Sequence, residues 1–233
     1  MKVLALDQSN SPGICLIDDM ASGTGPVILE TFDCGKLVGF DRTAAIIDRV
    51  LGLLREHQPE IFVHESLDFG SPTNNMAQMA EMVGSIKYVA KASLGYTMGY
   101  GTSHNEAERQ ACRDAMLYAG PLRVVVAQSS GGMKKFCLGK GNLKKDTKYL
   151  MTIQKSLGLE FKDDNQADAY MHSQMATVVV GVLRGVISMS NLPQHQQEAI
   201  FTANGSAGHF PKGMGMKTAL SLTDDKKLRL VNV

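Results

Sequence analysis

Two carboxylate side chains each follow a short apolar segment of the kind that forms a buried strand. Asp7 follows residues 3–6, and Glu65 follows residues 61–64. A carboxylate at a buried strand end loses solvation free energy, and a nearby positive group is needed to compensate for this loss. No Lys or Arg is adjacent to either residue in the sequence. A divalent cation is one such group, because Mg²⁺ binds carboxylates together with phosphate oxygens and water. Taken singly, each carboxylate is better explained as a strand end that faces solvent.

A second acidic pattern lies near residue 165. Asp164 and Asp168 are four residues apart, so a helix would place both side chains on one face. The positive end of the helix dipole favours an anion such as Asp164, whereas Asp168 precedes a long apolar segment and would be buried. Two carboxylates on a buried helix suit a centre with two metal ions. An acidic helix start in contact with water explains the segment equally well.

Lysine is concentrated in a short glycine-containing stretch, where the only acidic residue is Asp146. A flexible segment that leads into a helix start can bind phosphate through its backbone and its lysines. The stretch lacks the Gly-Lys-Ser/Thr ending of a nucleotide-binding P-loop. A lysine-rich surface in contact with solvent is an equally good explanation. The lysines of this stretch are Lys134, Lys135, Lys140, Lys144, Lys145 and Lys148.

The hydrophobic pattern predicts the elements that would position these residues. Three short strands with tight connections predict an antiparallel meander, and two further strands alternate with helices. This order, βββαβαβα, is typical of a mixed sheet that has helices on its faces. The predicted strands are 3–6, 14–17, 27–34, 61–65 and 123–127, and the predicted helices are 41–57, with Asp41 as its cap, 73–92, 142–157 and 165–187.

Two regions have weak periodicity. Residues 95–120 are predicted to be an insertion or a mobile loop, with a short helix at 106–118. Residues 189–233 are rich in Gln, Gly, Lys and Met and are predicted to be a C-terminal extension or tail. The sequence therefore predicts one domain over residues 1–188 and a tail over residues 189–233.

The composition is that of a globular domain with a nearly neutral charge. The 233 residues are 44% hydrophobic and 20% charged, with a net charge of +1. A protein that coats duplex DNA would be more basic, whereas an enzyme that holds metal ions with carboxylates can be neutral overall. No segment has the length of a membrane span or the form of a signal peptide, so we expect no membrane association. The four cysteines form no CxxC pair, which argues against a zinc site and favours thiols in a reducing cytoplasm.

Taken together, the motifs resemble those of the RuvC-type Holliday junction resolvases of the ribonuclease H-like superfamily. The sequence LDQS at residues 6–9 is similar to the family's first-strand motif, and FVHES at 62–66 is similar to its second acidic strand. The sequence NQADA at 165–169 is similar to its closing helix motif, and a Gly-x-Gly-then-Lys segment lies between the last two. The resemblance extends from about residue 3 to about residue 187.

The resemblance implies an α/β ribonuclease H-like fold with a mixed five-stranded sheet flanked by helices. It also implies carboxylates that hold two Mg²⁺ ions, for which Mn²⁺ would substitute. The family often has Pro-Gly after its first Asp, where this chain has Gln8-Ser9, and a carboxylate where this chain has Asn165. Asp164 lies on the same helix face and is assigned instead, with Asp163 as the alternative. The implied catalytic and metal-binding carboxylates are therefore Asp7, Glu65, Asp164 and Asp168.

The resemblance further implies a branched DNA substrate. Lys134 and Lys145 are similar to basic residues that the family places at junction phosphates near the cut, and Lys145 is assigned a catalytic role. Phe69 resembles an aromatic residue that inserts at the junction centre, where a base could stack on it. Paired cuts in a two-fold symmetric junction imply a homodimer. A divergent chain of this kind resembles those of bacteriophages, which would place it in the host cytoplasm. The other lysines assigned to DNA binding are Lys135, Lys140 and Lys144.

Three other functions stay open at the level of sequence. A related nuclease could cut flap DNA or an RNA–DNA hybrid with the same metal chemistry, because substrate choice depends on loops. A non-catalytic DNA-binding module could retain this fold, although all four carboxylate positions are filled. An actin-like ATPase or a sugar kinase lobe also begins with a strand that ends on Asp, but this chain is short for two lobes.

Overall fold

The computed structural model describes most of the chain. The described residues are 1–18, 25–66, 76–98, 107, 111, 114, 123–201, 220–222 and 228–230.

A six-stranded mixed sheet forms the centre of the molecule, with the strand order β3-β2-β1-β4-β6-β5. The first three strands pair antiparallel to one another, and β4, β6 and β5 continue the sheet parallel to β1. The strands are β1 (Lys2–Asp7), β2 (Gly13–Asp18), β3 (Ile28–Thr31), β4 (Ile61–Glu65), β5 (Thr97–Met98) and β6 (Val124–Gln128).

The predicted mixed sheet flanked by helices is confirmed, and the sheet has one strand more than the five expected. The additional strand, β5, pairs with β6 at the sheet edge and contains two residues. A strand of this length is too short to show the alternation of polar and apolar residues that identifies strands in a sequence. It lies in the region that we predicted to be an insertion.

Helices cover both faces of the sheet. The helices α1 and α2 pack on one face, and α5 packs on the other face against β1, β2 and β4, with α3 beside it. The described helices are α1 (Gly39–His57), α2 (Met76–Leu94), α3 (Ser130–Leu138), α4 (Tyr149–Leu157), α5 (Asp164–Leu183) and α6 (Gln194–Phe201), with a short 3-10 helix at Met189–Asn191. Two short strands, β7 (Leu220–Leu222) and β8 (Leu228–Leu230), pair as a separate antiparallel ladder.

Each face of the sheet has its own apolar core. On β1, Val3 and Ala5 belong to the cluster under α5, and Leu4 and Leu6 belong to the cluster under α1 and α2. Because side chains alternate along a strand, Asp7 points to the same face as Val3 and Ala5. The strand register therefore directs this carboxylate towards α5.

The largest difference from the predicted elements lies in the lysine-rich stretch. The residues that we predicted to be a flexible loop form α3, and the helix predicted at 142–157 begins only at Tyr149. The Ser129 hydroxyl accepts a hydrogen bond from the backbone N–H of Gly132 at 3.1 Å and so caps α3. Gly139, with a φ of 76°, ends it. These two end signals outweigh the cost of placing glycine in a helix.

Other boundaries differ by a few residues. The helix α1 begins at Gly39, and Asp41 lies in its first turn. The prediction that Asp41 caps this helix is therefore wrong. The helix α5 ends at Leu183 instead of 187. Residues 73–75 of the predicted second helix and most of the predicted helix at 106–118 lie outside the described residues. The described part of the latter region, Ala107, Ala111 and Asp114, is helical.

The residues after 188 begin with segments that pack on the domain. Met189, Ala199 and Ile200 are buried in the core cluster under α5, and α6 packs against α3. The division of the chain at residue 188 stays a prediction, but the segment from the 3-10 helix to α6 shares the domain's core.

The structure also bears on membrane-spanning helices and on the cysteines. No helix in the described part of the chain is long and apolar enough to cross a membrane. Cys15, Cys34 and Cys137 are free thiols, and Cys112 lies outside the described residues.

Candidate metal centre

Asp7 and Glu65 lie side by side at the carboxyl ends of two central strands of the sheet. The strands β1 and β4 are parallel neighbours, so their carboxyl ends lie side by side. Asp7 is 3% exposed and Glu65 is half-buried, and their carboxyl oxygens lie within 4.8 Å of each other. Burial, with the nearby charge of Asp168, raises the pKa of both carboxyl groups. A buried pair of this kind needs either a shared proton or a cation to compensate its charge.

The helix α5 adds a histidine to this pair. His172 is fully buried, and its ligand atom lies with those of Asp7 and Glu65 in a group in which all atoms are within 4.8 Å of one another. Opposite ligands of a Mg²⁺ ion lie about 4.2 Å apart, because each bond is about 2.1 Å long. A small inward shift would therefore fit these three residues around one divalent cation. Carboxylate oxygens and imidazole nitrogen are both ordinary donors to divalent ions of the first transition series.

Gln128 fixes the orientation of this histidine. It ends β6, where it pairs with Glu65 across the ladder, and it is fully buried. Its Oε1 atom lies 2.8 Å from Nδ1 of His172, and its Nε2 atom donates to the backbone carbonyl of the same histidine at 3.3 Å. Both contacts agree on which end of the amide is oxygen, so Nδ1 of His172 is the donor and Nε2 is the nitrogen whose lone pair could bind a cation.

Asp168 lies on the same helix, one turn before His172, and is 1% exposed. The Tyr149 hydroxyl donates to its Oδ1 atom at 2.5 Å, and the Lys145 ammonium lies 2.8 Å from its Oδ2 atom. Burial and the charge of Asp168 raise the pKa of Tyr149, so its hydroxyl stays protonated and keeps donating. Asp168 is therefore held by two donors from the α3–α4 region.

Lys145 supplies the positive charge beside the carboxylates. Besides its contact with Asp168, its ammonium lies 3.4 Å from Oδ2 of Asp164, whose side chain is 42% exposed. Burial alone would lower the pKa of Lys145, but the charges of Asp168, Asp7 and Asp164 outweigh that effect and raise it. The ammonium is thus a permanent cation at this site, and it connects the exposed Asp164 to the buried group.

Asp163, the alternative to Asp164, has a different role. It caps α5, since one of its oxygens accepts from the backbone N–H of Gln166 at 3.0 Å. The Thr31 hydroxyl donates to the same carboxylate at 2.6 Å. Its carboxylate is thereby tied to β3 and the helix start, while Asp164 lies beside Lys145.

The start of α5 approaches the turn between β1 and β2 very closely. A Cβ atom on Gly13 would lie 1.9 Å from the backbone oxygen of Asn165, which leaves room only for glycine. The Asn165 side chain donates to the backbone carbonyl of Ser11 at 2.9 Å. These contacts set the distance between Asp7 at the end of β1 and the carboxylates of α5.

The lysines assigned to DNA binding lie in three environments. Lys134 is 8% exposed, and its ammonium lies 5.0 Å from the ring centre of Tyr149, inside the site region. Lys135 forms an ion pair of 3.5 Å with Glu198 on α6. Lys140 and Lys144 are exposed in the connection between α3 and α4. Phe69 lies outside the described residues.

Sequence reasoning missed three residues of this site. His172 was detectable, because it continues the four-residue spacing of Asp164 and Asp168 along the helix. Gln128 is the last residue of a strand, as Glu65 is, but its side-chain amide is uncharged and was therefore not selected as a candidate site residue. Tyr149 gave no signal, since its contact with Asp168 depends on how α4 packs on α5.

Comparisons with known proteins concern mainly the fold. RuvC from Thermus thermophilus is similar at 18% sequence identity and a TM-score of 0.51, over 79% of this chain and 97% of that chain. The structure of T. thermophilus RuvC in complex with a Holliday junction substrate is similar at 18% identity and a TM-score of 0.49, over 77% of this chain and 95% of that chain. No protein-family model and no curated protein matches the chain. The chain thus has the ribonuclease H-like fold of RuvC, as its motifs predicted.

Proposed function

From its RuvC-like fold, we propose that this chain is an endonuclease that depends on divalent cations and cuts branched DNA, with four-way junctions as its preferred substrate. The observation that carries the proposal is the convergence of Asp7, Glu65 and Asp168 from two strands and a helix. A buried acidic centre next to a permanent cation, Lys145, suits hydrolysis of a phosphodiester. The exposed lysines of the α3–α4 connection provide contacts for the DNA backbone.

In this proposal two Mg²⁺ or Mn²⁺ ions are held by the carboxylates of Asp7, Glu65, Asp164 and Asp168. The bound ions would supply Lewis-acid activation of the attacking water and stabilise the leaving 3′ oxygen. Burial keeps competing water away from Asp7 and Asp168, which are 3% and 1% exposed. Tyr149 and Lys145 orient Asp168, and the fold needs no protein nucleophile for this reaction.

Lys145 has a second role in the proposal. Its ammonium compensates Asp164 and Asp168 before DNA binds, and its side chain is 42% exposed and can reach outward. With the carboxylates compensated by bound cations, the Lys145 ammonium would be available to a phosphate oxygen and to the negative charge that develops during cleavage. Lys134, packed on Tyr149, adds positive potential behind it.

The preference for a four-way junction rests on the resemblance of the sequence motifs to RuvC-type resolvases. Such a junction has nearly two-fold symmetry, and two symmetric cuts need two active sites. We therefore propose a homodimer related by a two-fold axis. Sedimentation equilibrium of the full chain at micromolar concentration should give twice the mass of one chain.

The decisive experiment compares the intact protein with Asp7→Asn and Asp168→Asn on four substrates. These are a four-way junction, a flap, an RNA–DNA hybrid and a linear duplex, each with Mg²⁺, with Mn²⁺ and with EDTA. We expect cation-dependent cleavage that is fastest on the junction, and a loss of at least about 1,000-fold in both variants with retained junction binding. Asp41→Asn, an exposed position in the first turn of α1, is the control and should cleave normally.

The outcomes separate the alternatives. Preferential cleavage of the flap or of the hybrid would replace the junction as substrate and leave the nuclease in place. Binding of branched DNA without cleavage under any cation would instead indicate a non-catalytic DNA-binding module.

A further inference from the structure

We propose that one cation of this centre has a nitrogen ligand, Nε2 of His172, and that Gln128 is the residue that positions it. The inference rests on the proposed function, because it concerns the same centre. It adds a histidine to the carboxylates that the sequence motifs assign. Such a ligand would also make the centre prefer Mn²⁺ over Mg²⁺.

The imidazole of His172 lies beside the buried carboxylates. His172 projects from α5 with no solvent exposure, and its ligand atom is within 4.8 Å of those of Asp7 and Glu65. Asp168, one turn earlier, is held by Tyr149 and Lys145 on its two oxygens. The histidine is thus the α5 side chain whose ligand atom groups with those of Asp7 and Glu65.

Gln128 holds the imidazole ring of His172 in one orientation. Its amide contacts His172 twice, through Nδ1 at 2.8 Å and through the backbone carbonyl at 3.3 Å. An oxygen acceptor at Nδ1 keeps the proton on that nitrogen, so the neutral ring has its lone pair on Nε2. Histidines that bind metal ions are oriented in this way, with the second nitrogen donating to a fixed acceptor.

A structural explanation of His172 has to be set against this. A charged imidazole could form an ion pair with Asp7 and Glu65, which would compensate the buried carboxylates without a metal. Nδ1 donates to Gln128 in both the neutral and the charged imidazole, so this hydrogen bond does not distinguish a metal ligand from an ion-paired imidazolium. The two explanations differ in what happens when a cation is added: a ligand binds it through nitrogen, whereas an ion-paired imidazolium opposes it.

The donor set also predicts the ion. Mg²⁺ is bound in proteins almost entirely by oxygen, whereas imidazole favours ions of the first transition series. A site of two carboxylates and one imidazole should therefore bind Mn²⁺ more tightly than Mg²⁺. We expect a preference of about 10-fold or more, which competition between the two ions would measure.

The test is pulsed electron paramagnetic resonance of Mn²⁺ bound to the full-length protein. We expect a hyperfine coupling from a directly bound ¹⁴N nucleus, which changes to a ¹⁵N coupling when the unaltered protein is grown with ¹⁵N-histidine. This labelling needs no substitution, so it does not depend on whether a variant folds. His172→Asn should remove the coupling, and the control His195→Asn on α6 should retain it.

Gln128 is tested by Mn²⁺ affinity. Gln128→Leu should weaken Mn²⁺ binding about 10- to 100-fold, the effect usual for loss of a residue that orients a histidine ligand. Gln128→Glu retains an acceptor for Nδ1 and should restore most of the affinity. Equal affinities in the wild type and both variants would show that Gln128 only packs in the core.

The results separate this inference from the proposed function. Mn²⁺ bound without histidine coupling, together with cleavage of DNA, would overturn the nitrogen ligand and leave the nuclease in place. Histidine coupling without cleavage of any DNA substrate would support the ligand and overturn the proposed function. Failure of the wild type to bind Mn²⁺ at millimolar concentration would overturn both.

Discussion

At the scale of single residues, the site depends on how Asp168 is held. Its carboxylate is 1% exposed, and Tyr149 and Lys145 each donate to one of its oxygens. A buried carboxylate that loses a donor pays the cost of an unsatisfied charged group, which is larger than the gain from an ordinary hydrogen bond. The hydroxyl of Tyr149 therefore contributes to both stability and alignment.

We predict that Tyr149→Phe lowers the free energy of unfolding by about 1.5 to 3 kcal/mol without added cation. It should also lower the rate of DNA cleavage by about 10-fold, since Asp168 is no longer held at Oδ1. Urea denaturation and single-turnover cleavage measure the two effects. Tyr170→Phe is the matched control, because its hydroxyl contacts Gln174 away from the carboxylates. If both variants cleave at the wild-type rate, Tyr149 has no part in aligning the site.

His64 gives a pH-dependent stability on the opposite face of the sheet. Burial, with a smaller contribution from Lys87 on α2, lowers its pKa from 6.5 to about 4. Above pH 6.5 the ring is neutral in the folded and unfolded chains. Between pH 6.5 and 4 only the unfolded chain takes up the proton, so the free energy of unfolding falls as the pH falls through this window.

We predict that this residue alone removes about 2 to 3 kcal/mol of stability by pH 4.5. Urea denaturation at pH 7.5, 5.5 and 4.5 should show a smaller pH dependence in His64→Gln than in the wild type. His57→Gln, at the end of α1, should leave the dependence unchanged. If the free energy of unfolding depends on pH equally in the wild type and in His64→Gln, the ring takes up its proton in the folded chain over the same pH range as in the unfolded chain.

At the scale of elements, the site is an assembly of strand ends and one helix. The parallel strands β1, β4 and β6 end at the same edge and bring Asp7, Glu65 and Gln128 together. The helix α5 lies across them and adds Asp168 and His172. Its distance from the sheet is set where Asn165 touches the β1–β2 turn at Gly13.

We predict that Gly13→Ala lowers the free energy of unfolding by about 1 to 3 kcal/mol or more, because the new methyl group would meet backbone atoms of Asn165 at 1.9 and 2.4 Å. The same shift of α5 should weaken Mn²⁺ binding. Gly52→Ala is the matched control: it lies in α1, where an added Cβ would meet no atom from other parts of the fold within 4 Å, and it should stabilise the fold by about 0.4 to 1 kcal/mol. Thermal and urea unfolding with Mn²⁺ titration test both, and an unchanged Gly13→Ala protein would contradict the tight approach.

The same elements explain what could be predicted from the sequence. Asp7 and Glu65 were assigned because an acidic residue after an apolar run is a local pattern, and Asp168 was assigned from its helical spacing and its apolar surroundings. The helix α3 was missed because its glycines suggested a loop, while its end signals, Ser129 and Gly139, are single residues. The roles of Tyr149 and Gln128 depend on side chains far away in the chain, so local patterns do not contain them.

At the scale of the whole molecule, charge is distributed unevenly although the net charge is only +1. The acidic centre uses Lys145 for its own compensation, and Lys135 is paired with Glu198. The exposed lysines Lys140 and Lys144 lie in the same α3–α4 connection as Lys145, whose ammonium contacts this centre. A DNA backbone that approaches the site would meet these two charges first.

We predict that replacing Lys140 and Lys144 together by alanine weakens binding of every DNA substrate and lowers the salt dependence of binding. The slope of log K against log salt should decrease in magnitude by about two, since each phosphate contact contributes about 0.9. Fluorescence anisotropy from 50 to 200 mM salt, with Ca²⁺ to prevent cleavage, measures this slope. The matched control removes two positive charges that lie away from the carboxyl ends of the strands. These are Lys2 at the start of β1 and Arg55 in the last turn of α1. If the control changes the slope as much as the Lys140 and Lys144 pair, binding follows net charge, and the DNA path does not run along the α3–α4 connection.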